Sequence, residues 1–224
     1  MMRNKKCWIS SIIVTVMLLI FVGTVMYLNR FDAVAYTQAV LDVSYKNEIK
    51  GYIEQTGAEK EEAQEVFQRN LDAAMEQFKT QELNEELEKK YQELFEEIVR
   101  QVKYTVLEAF KDEKGNYEVS VEVEPILLFD DTYESFQEAA REYATEISNQ
   151  VMAGEEMPTE DAMQEHLYQI YYEILNENME KGLKYGEAQS VVLHITKENL
   201  FTYEISEEDL QALNSLLISK DKLQ

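Results

Sequence analysis

The chain has 224 residues, 21 Lys and Arg against 44 Asp and Glu, and a formal net charge of −23. A hydrophobic share of 45%, with 14 Tyr and 9 Phe, excludes a disordered acidic tail. The charge excludes a nucleic-acid binder, and a single cysteine excludes a disulfide scaffold.

The first element is an uncharged run of 21 residues, Trp8 to Leu28. As a helix it spans roughly 31 Å, the thickness of a bilayer's hydrocarbon core. Trp8 and Tyr27 stand near its two ends, at headgroup depth. Arg3, Lys5 and Lys6 precede it, whereas Arg30 and Asp32 nearly cancel after it. The cations hold the N-terminus in the cytoplasm and direct the bulk of the chain outward. Residues 1–7 then form a cytoplasmic basic segment, 8–28 a transmembrane anchor contacting the lipid bilayer, 32–219 an extracytoplasmic domain, and 220–224 a tail. A cleaved signal sequence is the alternative, with Ala33-Val34-Ala35 as its cleavage pattern. A core helix is a third reading. Cys7 precedes the apolar run, so it is no lipoprotein-type acceptor.

Four of the cations and none of the anions fall in residues 1–30, so the remaining 194 residues carry 17 against 44, a net charge of −27. Folded sequence starts within a few residues of Arg30, with no Pro/Ser-rich stalk. The pattern predicts a helix from Asp32 to about Lys46 and a short one from Glu48 to Gln55, ended at Thr56-Gly57. A long helix covers Glu59 to Lys79, with Ala63, Val66, Phe67, Leu71, Ala74, Met75 and Phe78 as its apolar stripe. A second runs from Asn84 to about Val102, with Leu87, Tyr91, Leu94, Phe95, Ile98 and Val99 inward. The two make an antiparallel helical hairpin.

Periodicity then changes to two. Strands Tyr104–Phe110 and Tyr117–Leu128 flank a turn at Lys111–Asn116, and Pro125 marks an edge, a bulge or a strand end. Helix returns at Thr132–Met152, with Phe136, Ala140, Tyr143, Ile147 and Val151 as its stripe and Gly154 as terminator. Another helix starts at Pro158-Thr159-Glu160 and ends at Gly182, with Met163, Leu167, Ile170, Tyr171, Ile174 and Leu175 inward. Strands at Ala188–Thr196 and Leu200–Ile205 follow, and Ser206 caps a last helix to about Ile218. This order implies an α+β fold, helix-rich, with a small antiparallel sheet of three to four strands behind the N-terminal transmembrane helix.

Three passages carry a resemblance: Asp32-Ala-Val-Ala-Tyr-Thr-Gln-Ala-Val-Leu-Asp, Val121-Glu-Val-Glu-Pro-Ile-Leu-Leu-Phe and Tyr185-Gly-Glu-Ala-Gln-Ser-Val-Val-Leu. Across most of residues 32–218 the chain resembles a family of exported, membrane- or lipid-anchored domains of unknown function from anaerobic Gram-positive bacteria. The resemblance implies an extracytoplasmic location and no known active site. Many such relatives carry a lipidated cysteine; this chain departs from that pattern, since no Cys follows the apolar run.

No residue is assigned a catalytic, cofactor or metal role. His166 reads as a packed boundary residue and His194 as a half-exposed sheet residue, and their spacing matches no zinc motif. Asp131 reads as the cap of the helix that follows, with Asp130 reinforcing it; as a cation pair they lack calcium-loop spacing. Tyr168 and Tyr172 share a flank opposite Tyr171 and, with Tyr185, offer an aromatic contact surface if exposed. The expected function is a membrane-anchored, non-enzymatic binding or interaction module of the cell envelope. A basic envelope protein or peptide is the expected partner, with neither nucleic acid nor small-molecule cofactor. The alternatives are a carboxylate-based cell-wall hydrolase, which requires a cleft with one raised carboxyl pKa, or a secreted soluble protein. The sequence also predicts that the chain without residues 1–30 folds as a soluble, mostly helical monomer.

Overall fold

Helix α1 (Ala33–Leu41) buries Ala33, Tyr36, Thr37, Ala39 and Leu41, small and large residues at helical spacing. The structure, a computed structural model, describes residues 31–78, 83–199, 202–219 and 222, except for the side chains of 76–78. The run 8–28 and the tail beyond Ser219, apart from Lys222, lie outside the described residues, as do the Phe78 side chain and strand residues Leu200 and Phe201. No helix among the described residues is long and apolar enough to cross a membrane.

After α1 the chain does not continue as α-helix to Lys46. Asp42–Lys46 widens into a π turn, closed by Asn47 at φ 59° and by the Glu48 amide donating to the Asp42 carbonyl at 3.1 Å. Val43 and Tyr45 are both buried within this turn. Helix α2 (Ile49–Thr56) then folds back on α1, where a Cβ on Gly51 would stand 3.4 Å from that of Ala39. Helices α3 (Lys60–Phe78) and α4 (Glu85–Arg100) pack on each other, and both touch the π turn. Asn84 caps α4 by accepting from the Leu87 amide at 2.9 Å.

Strands β1 (Lys103–Lys111), β2 (Tyr117–Glu124), β3 (Gln189–Lys197) and β4 (Tyr203–Ile205) form one antiparallel sheet in the order 1-2-3-4. Asp112 organises the first turn by accepting from the amides of Lys114 and Asn116. One face is dry: Val119, Val121 and Val123 of β2 lie beside Leu193 and Ile195 of β3. Helix α1 covers that face over β1 and β2, and α7 (Glu207–Leu217) covers it over β2 and β3. Ser206 caps α7, as its position before Glu207 predicts. The other face is open. A bulge sets Leu107 and Glu108 against the single position of Ser120, and leaves Leu107 and Phe110 exposed beside Val192.

Between β2 and β3 lie α5 (Leu128–Met152) and α6 (Glu160–Lys181). Leu127 and Leu128, expected as the last residues of the second strand, are not strand: β2 ends at Glu124, and α5 starts four residues earlier than Thr132. Pro125 has no amide to donate to a ladder, and Leu128, Phe129 and Asp130 are drawn into the interior as the first turn of helix. Helix α5 is built mainly against α6, which reaches α4 in turn.

Tyrosines tie these layers. Tyr36 donates to the Tyr203 carbonyl at 2.9 Å, and Tyr91, fully buried, donates to the Tyr168 carbonyl at 2.7 Å. Burial pushes Tyr36 and Tyr171 up to about 12, and raises Tyr45, Tyr91 and Tyr104 further. The folded protein therefore holds phenolic protons that the unfolded chain releases near pH 10. That stability is complete below pH 10 and falls as pH rises through about 12. In an ultraviolet titration, the ionisation of Tyr36, Tyr45, Tyr91, Tyr104 and Tyr171 is expected as a cooperative step coincident with loss of helical circular dichroism. A second expectation concerns Thr37, fully buried in α1, whose hydroxyl has no hydrogen-bond partner among the described residues. Thr37→Val removes an unpaired buried oxygen and should raise the denaturation free energy by about 1 kcal/mol, read from the urea midpoint.

Candidate functional site

The strongest polar cluster lies where the π turn meets the start of β1. Asp42 accepts from Tyr104 at 2.5 Å, from Gln38 at 3.0 Å and from Lys46 at 3.1 Å. Burial pushes the Asp42 carboxyl up, and these three hydrogen bonds outweigh it, so it sits below the ordinary carboxylate range. Burial also dominates the rise at Tyr104, reinforced by the Asp42 carboxylate it faces. The Lys46 ammonium stands 4.4 Å from the Tyr104 ring centroid, and Tyr45 packs on that ring at 5.9 Å. Arg100 donates to the Lys46 carbonyl at 3.2 Å.

This cluster opens on a shallow depression lined by Lys46, Lys103, Tyr104, Thr105, Glu122 and Glu124. Both ammoniums there have neighbouring carboxylates, Lys46 with Asp42 at 3.1 Å and Lys103 with Glu124 at 3.7 Å. Lys103 also sits 3.6 Å over the Tyr185 ring, and Tyr185 donates to the Gln101 carbonyl at 2.8 Å. Local neutralisation leaves this arrangement suited to joining α1, β1 and the Tyr185 segment, and poorly suited to drawing in an anion. Sequence inspection missed it because Tyr104 is 62 positions from Asp42. The one local signal was Lys46 four residues after Asp42 in a helical stretch.

His194 lies on the open sheet face, as its alternation with Leu193 and Ile195 predicts. Its Nδ1 faces Asp209 Oδ2 at 2.9 Å, and its amide donates to the same oxygen at 2.7 Å. Asp209 thereby finishes the edge of β3 where β4 has ended, together with the Ser206 amide donating to the His194 carbonyl at 2.9 Å. The pair has the orientation of a base and its partner. Among the described residues, however, no hydroxyl or thiol is hydrogen-bonded to the imidazole's other nitrogen. His166 stacks on Tyr143 at 4.3 Å, between α5 and α6.

Asp131 is not the helix cap. It lies inside α5 and pairs with Lys184 at 2.9 Å, while the preceding Asp130 is buried. Asp130 accepts from the Ser219 hydroxyl and from the Lys222 amide, the latter at 2.9 Å, so it serves the chain's own C-terminal segment. Among the described residues no group of three or more His, Cys, Asp or Glu is arranged to hold a metal ion. Tyr168 and Tyr172 do not offer an exposed aromatic flank: both pack edge-on against Tyr91, at 6.1 and 5.6 Å.

A different feature stands out by what it fails to bury. From Tyr133 to Ile170, the distal parts of α5 and α6 contain no buried residue. The expected stripes Phe136, Ala140, Tyr143 and Ile147, and Met163, Leu167 and Ile170, are only half-buried. Val151, the last member of the first stripe, is exposed, as are Met152 and Met157 at the turn between the helices. Two helices lean on each other there as an arm, with apolar side chains at its tip.

Tyr104→Phe tests the polar cluster. It removes the shortest of Asp42's three hydrogen bonds and should cost about 1–3 kcal/mol in denaturant unfolding at pH 7. The loss should shrink as pH falls through the folded-state Asp42 pKa, because a protonated Asp42 no longer needs three donors.

No protein-family model and no curated protein matches the chain. Among solved structures it matches a Bacillus subtilis protein provisionally assigned as a lipoprotein, at 12% identity and a TM-score of 0.55. The match covers 83% of this chain and 55% of the other, so the chain spans about half the length of the structure it resembles. At this identity the likeness is one of fold.

Proposed function

We propose that this protein is an extracytoplasmic domain of a bacterial cell envelope, anchored by residues 8–28, and that it works as a non-enzymatic interaction module. The observation that carries the interaction reading is the α5–α6 arm, with its half-buried seam and exposed Val151, Met152 and Met157. Soluble domains seldom leave clustered large apolar side chains in water unless another molecule covers them. The location rests on the uncharged run Trp8 to Leu28 and the three cations before it. A fold likeness to a protein assigned as a lipoprotein is consistent with this location.

The uncleaved anchor is favoured over a cleaved signal because Ala33-Val34-Ala35 forms the first turn of α1, with Ala33 buried. A signal protease needs that stretch extended. The binding module is favoured over a wall hydrolase because, among the described residues, every carboxyl group with a displaced pKa is displaced downward: Asp42, Glu86, Asp112 and Glu177. A general acid at neutral pH needs the opposite shift.

Protease added to intact protoplasts expressing the full chain should digest the domain while its membrane-bound N-terminal fragment survives. A protected domain would refute the orientation, and release of intact domain into the medium would refute the uncleaved anchor.

A further inference from the structure

We infer that the end of the sheet carrying the β1–β2 turn faces the bilayer and meets anionic lipid headgroups through Lys111, Lys114 and Lys197. The inference rests on the anchor reading above and adds which end of the domain the lipid touches. The first argument is covalent reach. Helix α1 crosses the dry face from one end of the sheet toward the other. Near its start, Tyr36 donates to the carbonyl of Tyr203, which pairs with Lys197. The Lys197 amide in turn donates to Asn116 Oδ1 in the β1–β2 turn at 3.2 Å. Just past the end of α1, Asp42 accepts from Tyr104, at the opposite end of β1. The chain therefore enters the domain at the turn end. Ala33 comes five positions after Leu28, the last residue of the uncharged run. Five extended residues span at most about 18 Å, so the tether keeps the turn end close to the headgroups. The nine residues of β3 carry the sheet's other end roughly 26 Å away along the strand.

The second argument is charge. Lys111 and Lys197 close on Gly115, where a Cβ would stand 3.9 Å from a carbon of each side chain, and Lys114 precedes that glycine. Among the described residues none of the three lysines is in an ion pair. Lys103, at the other end of β1, pairs with Glu124 at 3.7 Å. The Asp112 carboxylate is turned onto the amides of Lys114 and Asn116, at 2.7 and 2.9 Å. The two turns at this end, residues 111–116 and 197–202, carry three cations and three anions, whereas the rest of the domain carries 14 against 41. Repulsion from an anionic leaflet acts within a Debye length of about 10 Å, so it falls chiefly on the nearest end. That end is the neutral one, and its ammoniums can turn to lipid phosphates. The Lys111 and Lys197 ammoniums lie 5.2 and 6.0 Å from the ring centroids of Tyr117 and Tyr203, and Phe110 beside them is 58% exposed. Aromatic rings and long basic side chains together suit headgroup depth.

The test measures energy transfer from a donor dye on the full chain to acceptor dyes on lipid headgroups of nanodiscs. In a Cys7→Ser background the donor sits at Thr202→Cys, at the turn end, or at Gln189→Cys, at the other end of β3. Both positions are exposed, and both changes leave the charge as it is. Transfer from position 202 should be several-fold stronger than from position 189. Adding phosphatidylglycerol to phosphatidylcholine discs should raise transfer from position 202. K111Q/K114Q/K197Q takes the domain from −27 to −30 and should reverse that rise, with circular dichroism checking the fold. Equal transfer from both ends, stronger transfer from position 189, or an unaltered response in the triple variant would overturn the inference. A chain that fails to enter the discs would refute the anchor reading and the inference with it. A chain held in the discs with equal transfer from both ends refutes the inference alone.

Discussion

The segment Pro125–Leu127 is the constraint on which the domain's connectivity depends. It is a short extended piece with a partner on each side. Toward one side, the Leu127 amide donates to the Lys184 carbonyl at 3.0 Å, and the Pro125 carbonyl accepts from the Gly186 amide at 2.8 Å. Toward the other, the Ile126 amide donates to the Leu217 carbonyl and its carbonyl accepts from the Ser219 amide, both at 2.9 Å. Ile126 is fully buried, so each of these backbone groups would cost free energy if left without a partner. Three remote parts of the chain meet there: the exit of β2, the return from α6 and the end of α7. Gly186 allows the close approach, since a Cβ on it would stand 3.3 Å from the Leu127 side chain. The buried carboxylate of Asp130 extends the same arrangement by holding Ser219 and the Lys222 amide.

Around that clasp the domain divides into parts with different packing. The sheet, α1 and α7 share a dry interior in which Leu41, Leu193 and Leu213 are almost wholly enclosed, and Tyr91 and Ile98 of α4 are enclosed as fully. Aromatic contacts run outward from it, Phe95 to Phe129 at 6.2 Å, Phe129 to Tyr171 at 6.4 Å and Tyr171 to Phe136 at 4.5 Å. Past Phe136 this enclosure stops. The remainder of α5 and α6 rests on one seam between two helices, and its opening free energy should be correspondingly low. A surface of that kind can adjust to a partner without disturbing the clasp or the sheet.

Much of this was legible in the chain itself, because local spacing encodes it. Alternation in Tyr117–Val123 separated a dry face from a wet one, and the burial of Val119, Val121 and Val123 follows it. Asn84, Thr159 and Ser206 stand where side-chain oxygens can meet free amides, and each caps its helix. Gly57, Gly154 and Gly182 end helices with positive φ. The failures share one cause. Asp131 looked like a cap because an acidic residue before a periodic run usually is one, yet Leu128 and Phe129 had a buried place to go and pulled the helix start past it. Tyr168 and Tyr172 looked exposed because they lie opposite Tyr171 on the helix, and only the position of α4 turns that flank into an interface with Tyr91. The Asp42–Tyr104 bond was invisible for the same reason, being a meeting of two elements with no common period.

The sequence by itself determined the acidic charge, the uncharged run before Phe31, the element types and which side of each strand is apolar, since all of these depend on residues within a few positions of one another. Tertiary structure alone decided that Pro125–Leu127 is held from both sides, that Asp130 serves the C-terminal segment, and that α5 and α6 continue beyond the core as an arm. Periodicity declares that a helix face is apolar; how much of it is buried depends on whether another element reaches it. Along Phe136 to Val151, among the described residues, α6 is the element that packs there, and the burial runs out toward the tip.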